Sequence, residues 1–202
     1  MYIPAHFRNE DEAPALAFMQ RYPFATLVTA DGNYPEATHL PFVAVRREGR
    51  IVLRSHFARA NTQWSSLPGK PVLVIFTEPH AYISPGHYEK EQNVPTWNYI
   101  AIHAYGQARI IDEPEAVFAL LDETVVTFEE AYKSQWDRLP DEYRRKMAKG
   151  VVAFEIEVTD LQAKYKLSQN RTEGERERVM NGLENSADGS ARAIAEYMRS
   201  DT

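Results

Sequence analysis

Apolar and polar positions change period several times along this chain, and each change marks an element. Over residues 10 to 21 the apolar Ala15, Leu16 and Met19 share one helical face. Asn9 stands as a cap, acidic residues occupy the first turn and Pro23 ends the run, so a helix is predicted there. From Phe24 to Ala30 the chain becomes β-rich, closes on Asp31-Gly32-Asn33 as a hairpin signal, and returns as a second strand from Glu36 to Arg46. Glu48-Gly49 marks another turn before a third strand at Ile51 to Leu53. Residues 58 to 67 read as a short helix, and the β-branched run Pro71 to Thr77 as a buried strand. Glu78 to Pro95 reads as one long loop, followed by a long strand from Tyr99 to Ile111 in which Gly106 marks a bulge or a close approach of backbones.

The second half is mostly helical. Pro114 opens a helix to about residue 132, and Pro140 opens another to about 149. Val151 to Val158 is a strand, Thr172 with Glu175 forms a capping box before a helix near 173 to 183, and a last helix near 190 to 199 follows the linker that starts at Asn185. Consecutive strands, then helices, then a returning strand predict an α+β domain on an antiparallel sheet or barrel. Strand and helix do not alternate as in a doubly wound sheet, and no glycine-rich nucleotide fingerprint or P-loop occurs, which disfavours nucleoside triphosphate chemistry.

Composition narrows the chemistry. The 202 residues suffice for one core domain, and 44% apolar with 26% charged residues is ordinary for a folded globular chain. A net charge of −6 gives no general attraction to nucleic acid or anionic lipid. No apolar run is long enough to span a bilayer and Met1 to His6 lacks the apolar stretch of a signal peptide, so a cytoplasmic protein with no membrane partner is expected. With zero cysteines, disulfides, thiolate nucleophiles and cysteine-ligated metals are excluded.

Two segments hold the candidate chemistry, Arg54 to Trp64, and Pro79 to Pro85 with Val94 to Tyr99. Each packs cations, amides, hydroxyls and aromatic rings beside apolar strand sequence, a composition suited to a flat anionic cofactor. Arg59 and Asn61 stand where a strand passes into a helix, where a guanidinium and backbone amides can meet a phosphate, with His56 as a further donor; a capped helix with a surface arginine is the plainer reading. Trp64, Tyr82, Trp97 and Tyr99 can lie against a planar ligand or fill the core. Asn98, an amide between two rings, could read the edge of a heterocycle. Six histidines without a helical His-x-x-x-His pair argue against a catalytic metal, although one histidine is enough for a haem. Lys164 to Arg171 reads as a basic turn after a strand.

Taken together, Met1 to Phe7, His39 to Phe42, His56 to Asn61 with Gln63-Trp64, Pro79 to Pro85, Val94 to Tyr99 and Lys166 to Asn170 resemble the PaiB-type FMN-binding negative transcriptional regulators, in order and over nearly the whole chain. The resemblance implies a Greek-key split β-barrel with peripheral helices, a barrel domain over 1–171 and a C-terminal helical appendage over 172–202 packed on it. It implies a homodimer with FMN at each of two interfacial sites. The phosphate falls on Ser55, His56, Arg59 and Asn61, the isoalloxazine along Thr38, His39, Leu40 and Pro41, and the partner subunit supplies Trp97, Asn98 and Tyr99. Tyr82 and Ser84 lie in a matching segment, and Lys166, Ser168 and Gln169 match the family's late segment. Gly86-His87 stands where the family pattern carries Ser-Trp, so no stacking role is carried to position 87.

Three functions compete. The resemblance implies a repressor that uses flavin as ligand or redox sensor, although the acidic chain and the glutamates diluting Lys164 to Arg178 weigh against direct contact with DNA. The others are a small FMN-dependent NAD(P)H oxidoreductase and a haem-binding or haem-degrading protein using His39, His56 or His80.

Overall fold

The computed structural model describes residues 1–31 and 34–200; the predicted turn at Gly32-Asn33 lies outside the described residues. A short 3-10 turn, Ala5–Phe7, precedes β1 (Arg8–Asn9) and α1 (Glu12–Arg21). Then come β2 (Phe24–Asp31), β3 (Tyr34–Pro41), β4 (Val43–Arg47), β5 (Arg50–Ala58), a 3-10 helix (Thr62–Ser66), β6 (Pro71–Phe76) and β7 (His80–Ile83). β8 (Thr96–Ile111), α2 (Pro114–Glu129), α3 (Lys133–Arg138), α4 (Asp141–Ala148), β9 (Val151–Lys166), α5 (Glu173–Glu184) and α6 (Gly189–Ser200) complete the chain.

Two compact units share these elements, one of Leu16–Phe76 with Ala104–Leu161, the other of Met1–Ala15, Thr77–His103 and Gln162–Thr202. The first is the barrel, with strand order β3-β2-β6-β8-β9-β5-β4. β2 pairs antiparallel with β3 and β6, and β5 with β4 and β9. The run from Glu36 to Arg46, predicted as one strand, is two. Phe42 breaks it: the ring is 1% exposed and the N–H donates to Pro23 O at 2.9 Å, so β3 stays on β2 while β4 turns onto β5. The hydroxyl of Ser55 on β5 donates to Pro41 O on β3 at 2.7 Å, linking strands far apart in the order and curling the sheet on itself.

Inside, Phe42, Phe57, Phe76 and Phe154 meet edge-on or stacked with ring centres 5.0–6.1 Å apart. Gly106 is the predicted close approach, since a Cβ there would lie 2.2 Å from Glu157 O. Helix α2 is seated by Leu120 against Ile111 and Ala153. Its predicted length to residue 132 is shorter in fact, because the chain passes through a 3-10 turn at Glu130–Tyr132 into α3, which the sequence did not signal. Helix α1 starts at Glu12, not residue 10, because Asp11 accepts from Ala13 N at 2.9 Å while Asn9 is used by Asp11 N.

In the second unit the predicted loop from Glu78 to Pro95 contains β7, paired with β8 from His80↔Tyr99 to Ile83↔Thr96, and a 3-10 turn at Pro85–His87 capped by Ser84. Four residues with Ala81 and Ile83 buried are too few for a clear alternation. Half of the predicted capping box forms: Thr172 accepts from Glu175 N at 3.3 Å, but the Glu175 carboxylate turns away to accept from Glu89 N at 3.0 Å. α5 and α6 pack on each other through Val179, Leu183, Ile194 and Met198, and α6 covers β7, where Ser190 Oγ accepts from His80 N and donates to His80 O, both at 2.8 Å.

Candidate functional site

The predicted residues fall into two groups, one in each unit. In the barrel, Thr38, His39, Leu40 and Pro41 form the last half of β3, the terminal strand of the order, whose outer backbone edge is not used by β2. His39 is exposed and lies nearly parallel to the ring of Phe24, 6.2 Å away; Phe24 is itself 65% exposed. Leu40 is buried and Pro41 is held by Ser55. Thr38 belongs to a polar network: Asn61 Nδ2 donates to Thr38 Oγ1 at 2.9 Å, and Thr38 Oγ1 donates to Gln63 Oε1. Gln63 is 4% exposed, and its Nε2 reaches Thr29 Oγ1 and Glu36 O, both at 3.1 Å. Sequence reasoning left Gln63 out of the site. Its signal was an uncharged amide two residues after the Asn61 cap.

The expected strand-to-helix junction is a 3-10 turn of five residues, too short to present a useful helix dipole. Arg59 is exposed, and its guanidinium donates from Nε to Lys149 O at 2.8 Å and from Nη2 to Val151 O at 2.7 Å, which holds the side chain against the start of β9. Among the described residues Nη1 makes no bond, which leaves it as the donor available to an anion. Burial lowers the basicity of His56 below that of a free imidazole, so near neutral pH it acts as a neutral donor or acceptor and adds no cation.

In the second unit, Tyr82 and Trp97 are half exposed and meet edge-on at 5.9 Å, with His80 edge-on to Trp97 at 5.8 Å. An open pocket of about 420 Å³ lies beside them, lined by Thr77, Pro79, His80, Trp97, Tyr99 and Ile100 and almost wholly apolar. Asn98 differs from the expected reader of a heterocycle. It is 1% exposed and both ends of its amide are taken by Ser168, so it presents no free edge. Its neighbours alternate outward because β8 is a strand, which is why Trp97 and Asn98 cannot share a face. Ser84 serves as a cap, Gln169 bridges Leu167 N and Tyr165 O, and Lys166 Nζ donates to Thr96 Oγ1 and, at 2.7 Å, to Trp97 O. Burial first, then the nearby charges of Lys164 and Arg171, depress the basicity of Lys166. The basic segment that the sequence placed after a strand begins within β9 itself.

A curled antiparallel sheet whose strand order ends on β3 is a split barrel. The family described as "Putative FMN-binding domain" matches residues 1–160, and the chain belongs to it; FMN is its cofactor. Protease synthase and sporulation protein PAI 2 of Bacillus subtilis is 39% identical over 204 residues, covering 98% of this chain and 96% of that protein. Among solved structures, the flavocytochrome Anf3 from Azotobacter vinelandii superposes with a TM-score of 0.65 at 16% identity, over 85% of this chain and 73% of that one. The FAD and heme binding protein from Mycobacterium smegmatis superposes with a TM-score of 0.63 at 17% identity, over 79% and 73%.

Proposed function

We propose that this protein is an FMN-binding regulator of the PaiB type, in which bound flavin acts as ligand or redox sensor. The observation that carries the reading is the 39% identity to the sporulation protein over almost the full length of both chains, combined with family membership. The barrel group fits the cofactor. The free edge of β3 at Thr38 to Pro41 offers backbone donors and acceptors to the polar edge of a flavin, and Phe24 with His39 offers a flat apolar face. Nη1 of Arg59 is assigned to the phosphate, and Ser55, His56 and Asn61 enter as the further contacts that the resemblance implies. FMN, when bound, supplies one- and two-electron redox chemistry and a chromophore. The chain's part is to hold and orient it and to exclude water from one face.

The long edge strand and the exposed Phe24 and Tyr34 favour a homodimer with flavin at the interface, as edge strands are normally covered. With a charge of −6, direct DNA binding would need a local basic surface, so regulation through a protein or small-molecule partner is the better reading. The absence of cysteine suits a cytoplasmic protein.

Titration of the purified protein with FMN, followed by flavin fluorescence and then by anaerobic NAD(P)H, tests this. Saturable binding without bleaching supports a sensor. Rapid bleaching makes the oxidoreductase reading primary, and no binding overturns the assignment of a flavin ligand to this chain.

A further inference from the structure

Lys164 is a buried cation with no carboxylate beside it among the described residues. The residue is 8% exposed, and Nζ lies between two rings, 5.8 Å from the centre of Tyr2 and 5.1 Å from that of Tyr99, with a single bond to Tyr2 O at 3.3 Å. An ammonium has three donors, so two are left. Its cross-strand partner is another cation: β1 and β9 pair Arg8 with Lys164, which places both side chains on one face. Two residues along β9, on the same face, is Lys166. Opposite charge nearby is sparse. Arg8 has the exposed Glu10 at 3.8 Å, and Glu175 lies 3.9 Å from Arg171, but neither Lys164 nor Lys166 has a carboxylate within ion-pair range among the described residues.

Like charges directly opposite on a sheet destabilise it, and a buried charge without a counter-ion is among the most costly features a fold can carry. A ring face repays part of the lost hydration of an ammonium, by about 1–2 kcal/mol. That leaves the two donors and the repulsion from Arg8 and Lys166 uncompensated. Arg8 also borders an open cleft of about 450 Å³, lined with Ala5, Asn9 and Glu10, through which a small solute can approach β1.

We infer that Lys164, with Arg8 and Lys166, forms a binding site for a tetrahedral or carboxylate-type oxyanion, taken from a phosphate monoester or the free ion, with Tyr2 as its movable cover. Tyr2 is 84% exposed, so turning its ring aside gives up little beyond its contact with Lys164 Nζ. The site lies wholly in the unit that lacks Arg59; a separate oxyanion there leaves the flavin reading given above intact, whereas the phosphate of FMN there would displace Arg59 from that role. The source of the anion is left to two arms of the test, the phosphate of FMN or a separate oxyanion.

Thermal unfolding of the full chain with inorganic phosphate, against chloride at equal ionic strength, is the experiment. Phosphate should raise the wild-type Tm in a saturable manner, since a ligand bound only by the folded state stabilises it. Lys164→Met should abolish the phosphate-specific increment, and Arg8→Gln, an exposed change that preserves folding if the first variant does not, should weaken phosphate at least fivefold. Equal increments in wild type and both variants, or none in wild type, overturn the site. Repeating the titration under saturating FMN and under saturating riboflavin separates the sources. Loss of the increment with FMN alone makes the flavin phosphate the occupant, and persistence with both makes it a separate oxyanion.

Discussion

Asn98 and Ser168, seventy residues apart, close on each other: the Asn98 Nδ2 donates to Ser168 Oγ at 2.9 Å, and Oγ returns a bond to Asn98 Oδ1 at 3.2 Å. Both are buried, and Ser168 sits at φ +63°, where a non-glycine residue needs support from its surroundings. Ser168→Ala leaves a buried amide with only the Met198 sulfur at 3.5 Å. The expected loss is about 1–3 kcal/mol of unfolding free energy. Urea titration checks it, and a variant as stable as wild type would show that water enters and takes over the bond.

Much of the barrel was legible because its signals are local. Pro114 and the glycine at 106 each act through their own backbone, as does the Thr172 cap in the second unit. Features that depend on distant partners were not legible. Phe42 breaks a strand only because Pro23 O is there to receive its N–H, and β7 is a strand only because β8 offers it an edge. The site divides in the same way. Residue types announced an aromatic and polar surface, but whether an amide faces outward depends on strand phase: Trp97 projects outward and Asn98 inward. Gln63 and Lys164 were seen only as members of a matching segment and a basic turn, because their particular roles come from contacts with residues far along the chain.

Glu155 carries a pH dependence whose sign follows from its surroundings. Arg47 holds its carboxylate in a two-pronged pair at 2.7 and 3.1 Å, Arg109 adds a bond at 2.7 Å, and together they overcome burial to hold the group at about 2 against an ordinary 4.5. A depressed carboxylate contributes stability in full above its unfolded value, and loses it as pH falls from there through the folded value. Stability should therefore decline between about pH 5 and pH 2, by as much as about 3 kcal/mol from this group. Glu155→Gln should flatten that part of the profile while lowering stability at neutral pH, where Arg47 and Arg109 lose their counter-ion. Urea midpoints measured across that range check both effects; an unchanged acid slope in Glu155→Gln would assign the decline to other carboxylates.

Arg59 has two tasks that can be separated. Two of its nitrogens hold carbonyls at Lys149 and Val151, and the third is the one assigned to an anion. Arg59→Ala removes all three, so FMN affinity should fall roughly tenfold or more, the equivalent of one charge-assisted bond. Riboflavin has no phosphate and should bind the variant nearly as it binds wild type. If both flavins weaken equally, the residue acts through the start of β9, and its role is structural.

Phe24 offers the last test, because it reports on assembly without disturbing the core. The ring is 65% exposed beside His39, at the edge where β2 and β3 end the strand order, so its removal costs an isolated subunit little, within about 0.5 kcal/mol. An interface there would bury it, and large aromatics near the centre of interfaces carry much of their affinity. Phe24→Ser should leave the unfolding of the dilute monomer unchanged and raise the dimer dissociation constant at least tenfold in sedimentation velocity. FMN should oppose the change in wild type, since a ligand held between two copies strengthens their association by linkage. A dimer that ignores both Phe24→Ser and saturating FMN would place the contact surface elsewhere, and a flavin site confined to one subunit would then follow.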